Sequence, residues 1–202
     1  EAEARGTSVY LVDRTIPMLP ERLCNELCSL RPHETSLCFS AVFTLNENAE
    51  IMDEWFGRTV IHSDRRYAYQ EAQEIIETGR GDHAEAILTL HRLAQKMRTE
   101  RFKSGAIAFE GEEMKFHLDE SGKPIEVYFK VQQEANQLIE EFMLLANRRV
   151  AEFCAHRISE KGRKTPRTMI YRVHDTPSED KLDRFREFAL RFGHLFRASK
   201  GR

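Results

Sequence analysis

The chain has 202 residues, 41% of them hydrophobic and 32% charged, which places it among soluble globular chains long enough for one well-formed core. Thirty-one Lys and Arg against 33 Asp and Glu leave a net charge of -2, so no global basic field marks out a nucleic-acid partner and any basic surface has to be local. No run approaches the roughly 20 apolar residues of a membrane span, and the opening EAEARGTS has neither the basic nor the apolar region of a secretory signal, so a soluble, cytoplasmic protein is expected.

In chain order, TSVYLVDRTIPML (7–19) begins as a β-prone run and is broken by Pro17 and Pro20, which cannot donate to a ladder; a strand followed by an extended loop is predicted. ERLCNELCSL then places Leu23, Leu27 and Leu30 at helical spacing after Pro20, predicting a short helix docked on the core. SLCFSAVFTL (36–45) and EIMDEWFGRTVIH (50–62) are rich in β-formers and joined by polar NENA, the pattern of a hairpin. DRRYAYQEAQEIIE (64–77) carries a candidate cap, Asp64, and stops before Gly79 and Gly81. Residues 82–103 repeat that plan with Asp82 as cap and Ile87, Leu90, Leu93, Ala94 and Met97 on one stripe, so two antiparallel helices are predicted.

Two alternating runs flank Ser121-Gly122 between Ala106 and Gln132, a second hairpin. From Glu134 to about Ile158, Ala135, Leu138, Ile139, Phe142, Leu145, Ala146, Val150 and Phe153 share one face of a long helix, with Asn136, Glu140 and Asn147 at its edge. The basic link KGRKTPRT leads to a short strand, MIYRVH, and Ser178 caps a last amphipathic helix carrying Leu182, Phe185, Phe188, Ala189 and Phe192. The fold class is α+β, with mostly antiparallel strands in hairpins and helices around them.

Among residues that could carry chemistry, Cys24 and Cys28 are close, but with His33 and Cys38 they make no known zinc spacing; with Cys154 they read as reduced core thiols. His174-Asp175 suggests a base with its orienting acid, yet neighbours in sequence rarely face one another and no nucleophile accompanies them. Lys161, Arg163, Lys164 and Arg167 suit either phosphate contact or a solvated linker, and Glu110, Glu112 and Glu113 suit a charged surface, so no metal is assigned.

Particular strings say more. RGTSVYLVDRTIPMLPERLCNELCSLRP, Arg5 to Pro32, resembles the signature segment of the RNB family of exoribonucleases, those of the ribonuclease II and ribonuclease R kind. SDRRYAYQEAQEII, GAIAFEGEE, LIEEFMLLANRRVAEF and YRVHDTPSEDKLDRF follow in the family's order, covering nearly the whole chain. Within the family the chain looks most like bacterial ribonuclease R. The resemblance implies that residues 1–202 are the central part of an RNB catalytic domain, in an enzyme that uses magnesium to hydrolyse single-stranded RNA processively from its 3′ end to nucleoside monophosphates. It also implies that the aspartate cluster binding magnesium lies upstream of this chain and the family's arginine segment downstream. The chain alone is therefore expected to hold no metal and to be inactive, with no obligate protein partner. The alternative is a catalytically dead RNB-like module that binds RNA or docks a protein.

By the same resemblance, Tyr10 and Phe109 are flat surfaces that stack on the terminal bases, and Tyr69 and Glu140 contact ribose hydroxyls, by which a protein tells RNA from DNA. The residues by themselves also suit plainer roles. Tyr10 and Phe109 could be core aromatics, Tyr69 a packing residue at a helix start, and Glu140 a solvated helix glutamate.

Overall fold

The computed structural model describes residues 1–107, 113–155, 168–170, 173 and 175–196. It comprises two compact units, Glu1–Phe153 and Cys154–Arg202. The α+β class holds, with antiparallel pairs throughout: β1 (Val9–Tyr10) with β2 (Thr15–Ile16), β3 (Thr35–Leu45) with β4 (Ile51–His62), and β5 (Glu113–Leu118) with β6 (Pro124–Lys130). The helices are α1 (Ala2–Arg5), α2 (Tyr69–Thr78), α3 (Ala84–Lys103), α4 (Glu134–Ala155) and, in the second unit, α5 (Glu179–Arg191). Among the described residues, no helix is long and apolar enough to cross a membrane.

The opening departs from expectation. The strand and extended loop expected over 7–19 are two short strands closed into a ladder, with Val9 opposite Ile16 and Tyr10 opposite Thr15; the turn between them absorbs Asp13 and Arg14, which form an ion pair. Arg22–Leu27 winds as a wide, π-type turn, with the Cys28 N–H donating to the Leu23 carbonyl at 3.0 Å. Wider winding rotates the expected leucine stripe out of line. Instead of docking on a core, Leu27 and Leu30 stand 69% and 57% exposed.

Both longer hairpins form as the sequence indicates, and each tip is tied by one side chain. Asn46 Oδ1 accepts from the N–H groups of Asn48 (2.9 Å) and Glu50 (3.0 Å), turning β3 into β4. Asp119 Oδ1 does the same for Ser121 and Lys123, both at 2.9 Å, while the Ser121 hydroxyl adds a bond of 2.6 Å. These bonds, the Ser121 hydroxyl's first, hold the Asp119 carboxyl below its ordinary value. Gly57 lies within β4 beneath the Trp55 ring, only 2.4 Å from where a Cβ would sit, which is why this strand position carries no side chain.

The buried residues concentrate in α2, α3 and α4: Ile75; Ile87, Leu93 and Ala94; Ala135 and Leu138, with Gln73 and Glu141 beside them. Neither expected aspartate cap is used. The Ala68 N–H at the head of α2 donates to Glu71 Oε2 (2.7 Å), the glutamate half of a capping box, and Asp82 gives way to His83 before α3. Gly79 ends α2 in the left-handed conformation, as expected. On α4, Ala135 and Leu138 are buried as read, but Ile139 is 51% exposed and Glu141, a charged residue, is only 3% exposed.

Towards its C-terminal end α4 meets β4. Phe153 stacks on Phe56 with centroids 4.7 Å apart, and Arg149 forks onto Glu54 at 2.6 and 2.7 Å. The hydrogen bonds from Arg149 hold the Glu54 carboxyl below its ordinary value. In the second unit Ser178 caps α5 as expected, its hydroxyl accepting from the Lys181 N–H at 3.3 Å. Phe185 packs edge-on to Phe196, and Phe188 lies 5.0 Å from Phe192. Of the strand expected over 169–174, Met169, Ile170 and Val173 are not in a strand and the rest lies outside the described residues.

Candidate nucleic-acid interface

Tyr69 is the first residue of α2, and the segment before it is pinned. The Tyr67 hydroxyl donates to the Asp82 carbonyl (2.8 Å), the Arg65 guanidinium lies 5.1 Å over the Tyr67 ring, and Arg65 also pairs with Glu71 at 3.3 Å. Tyr69 is 45% exposed and borders an open, largely apolar cavity of roughly 610 Å³ between α2, α3 and α4. Leu138 and Ile139 form part of its wall, with Arg65 and His83 among its polar lining. Aromatic and apolar walls with a few polar groups suit a base or sugar better than a bare phosphate.

Glu140 follows Ile139 and is held by a network of its own. Its Oε1 accepts from Arg101 Nη2 (3.0 Å) and its Oε2 from Gln132 Nε2 (3.1 Å). The same guanidinium grips Glu141, with Nε 3.1 and 3.2 Å from its two oxygens and Nη2 2.5 Å from Oε1. Arg98 approaches both carboxylates, 3.7 Å from Glu141 and 3.9 Å from Glu140. The Arg101 pKa is raised above its ordinary value, first by the hydrogen bond to Glu141 and further by both negative charges. Glu140 is thus not the freely solvated glutamate that a plain reading allowed.

Tyr10, on β1, is 79% exposed, so it is no core aromatic. Its ring is available for stacking, but it sits on the β1–β2 ladder and not in the helical cluster that carries Tyr69 and Glu140. Phe109, Glu110, Glu112, the basic residues Lys161, Arg163, Lys164 and Arg167, and His174 lie outside the described residues. Glu113 is described only through the backbone of β5. All four cysteines are free thiols, and none is buried; Cys28 is exposed, so the core role expected for it does not hold.

Sequence reading missed the residues that organise the site: Gln73, Arg98, Arg101 and Glu141. A signal existed for Glu141, which continues the three-residue spacing of Ala135 and Leu138, and for Arg98 and Arg101, which stand three apart on α3. Among the described residues, no group of three or more His, Cys, Asp or Glu gathers in a way that could hold a metal ion.

The family model of the RNB domain matches residues 1–200. The chain belongs to the RNB family. It is 41% identical over 98% of its length to DIS3-like exonuclease 2 of Schizosaccharomyces pombe, and 36% identical over 96% to ribonuclease R 1 of Lactococcus lactis. An Arabidopsis thaliana relative named inactive exonuclease DIS3L2 is 35% identical over 96% of the chain. Among solved structures, Mycoplasma genitalium RNase R in complex with double-stranded RNA superposes with a TM-score of 0.81, at 27% identity over 95% of this chain and 34% of that one. The RNB chain spans 22% and 23% of the length of the first two relatives.

Proposed function

We propose that this RNB chain is part of a processive 3′→5′ exoribonuclease that hydrolyses RNA to nucleoside monophosphates, and that its share of the work is to hold the 3′ end of a single strand. The observation that carries the reading is the RNB match over residues 1–200, together with exonuclease relatives at 41% and 36% identity. In this reading Tyr10 and Phe109 stack on bases, which grips any sequence because every base has a flat face. Tyr69 and Glu140 contact ribose, where a 2′-OH donating to a carboxylate separates RNA from DNA.

In this reading the magnesium of the complete enzyme is held by acids outside this chain, and the 202 residues alone do not turn over RNA. The free thiols suit a reducing compartment, the cytoplasm. No obligate protein partner is part of the reading.

A second reading, an RNB-like module that binds RNA without cleaving it, is favoured by the inactive Arabidopsis relative. Degradation of a 3′-labelled single-stranded RNA in magnesium separates the two, run on this chain and on a version extended at both ends. Release of labelled mononucleotide by the extended form alone is the expected result. Binding without release assigns the inactive module, and neither activity refutes both.

A further inference from the structure

We propose that Arg101 is a positioning residue for RNA selection: by bridging the buried Glu141 and the partly open Glu140, it fixes the Glu140 carboxylate so that its free lone pairs meet a ribose hydroxyl. This rests on the reading of Glu140 as a ribose contact.

The argument begins from adjacency. Glu140 and Glu141 are consecutive on α4, and two neighbouring carboxylates repel unless a cation lies between them. Arg101, on α3, supplies that cation, and its planar fork lets one group serve both acids in a fixed geometry. Glu141, 3% exposed, acts as the anchor, taking Nε on both oxygens as well as Nη2. Glu140, with its side chain 31% exposed, takes a single bond from Nη2.

Counting lone pairs shows what is left. An ionised carboxylate offers about four acceptor sites. Arg101 uses one on Oε1 of Glu140 and Gln132 uses one on Oε2, so each oxygen retains capacity for a further donor on the accessible side. A hydroxyl group can fill such a site, whereas a phosphate oxygen is repelled by it. Without Arg101, Glu140 keeps its charge but regains its rotamers, and ordering them again would weaken the contact it makes.

The test uses the full-length protein that carries this chain. Binding is measured in EDTA to a single-stranded oligoribonucleotide and to the same strand with 2′-deoxyribose in its last few nucleotides. The wild type is expected to prefer the ribose end by about tenfold, the size of one good hydrogen bond to a charged acceptor. Glu140→Gln is expected to reduce that preference to about twofold. Arg101→Lys keeps a cation for Glu141 but loses the fork, and should reduce the preference as far while leaving affinity for the deoxy-ended strand within about twofold. The neutral pair Arg101→Gln with Glu141→Gln, which leaves no buried charge unpaired, should do the same.

If Glu140→Gln removes the preference and either folded Arg101 variant retains it, the positioning role is refuted while the Glu140 reading stands. Where the wild type shows no preference, or Glu140→Gln retains it, the Glu140 reading itself fails, and the proposal with it. A parallel loss of affinity for both strands, or failure of both Arg101 variants to fold, assigns Arg101 to architecture alone and overturns the proposal.

Discussion

The helical cluster and the amino-terminal ladder divide the candidate interface between two ways of presenting a side chain. In the cluster, Glu140 reaches its place through three other residues, one of them the buried acid Glu141. On the ladder, Tyr10 projects from a two-residue strand and is 79% exposed. Under the roles proposed above, the chemistry accounts for the contrast. Stacking on a base tolerates rotation and slip, because the whole face of the ring is the binding surface. A hydrogen bond to a hydroxyl weakens steeply when it is misaligned, so the carboxylate that accepts it needs a scaffold.

Perturbing each side should break this contrast differently. The largest effect is expected from Arg101→Ala, which leaves Glu141 buried with Arg98 as its remaining cation; a loss of about 3 kcal/mol in urea unfolding is expected, at the low end for a broken buried pair because Arg101 itself reaches solvent. Next is Gln73→Ala. Gln73 Oε1 accepts from the Ala135 N–H at 3.0 Å in the buried start of α4, and stranding that donor should cost about 2 kcal/mol by the same measurement.

Tyr10→Ala should behave in the opposite sense, moving stability by no more than about 0.5 kcal/mol but weakening single-stranded RNA binding by about 1–2 kcal/mol in a titration of the full-length protein. Equal losses of stability and binding would place Tyr10 with the cluster and end the distinction.

The smallest effect concerns pH. Because hydrogen bonds from Arg149 depress the Glu54 carboxyl below its ordinary value of 4.5, its stabilisation is fully present above that pH and lost as pH falls through the lower folded value. Glu54→Gln should therefore flatten the acid limb of a stability profile, by about 0.5 kcal/mol for a pair this open to solvent.

What could be read from the sequence follows the range of the interactions. The hairpin tips at Asn46 and Ser121-Gly122, the stop at Gly79 and the cap at Ser178 are decided within a few residues, and all formed where the local chemistry put them. The helix starts at 68 and 83 fall four residues and one residue beyond the expected aspartate caps, and neither cap position bonds through its own side chain. The spacing of Ala135 and Leu138 marks Glu141 as facing inward, but its pairing was not legible, since its partner Arg101 lies 40 residues away. Tyr10, Tyr69, Phe109 and Glu140 came from resemblance to the family. The structure adds that Tyr10 is open, Tyr69 borders a cavity and Glu140 is held.

The bond from Ala135 to Gln73 spans 62 residues, so this N–H in the first turn of α4 is satisfied by α2, while Gln133 and Asn136 bond to one another. That makes one amide a gauge for the whole cluster. This N–H exchanges with solvent once the Gln73 side chain lets it go, by its own rotation or by the parting of the two helices, and its exchange rate measures the free energy of that opening. Followed with and without bound RNA, the Ala135 amide would show whether the strand is gripped by a cluster already closed or by one that closes around it.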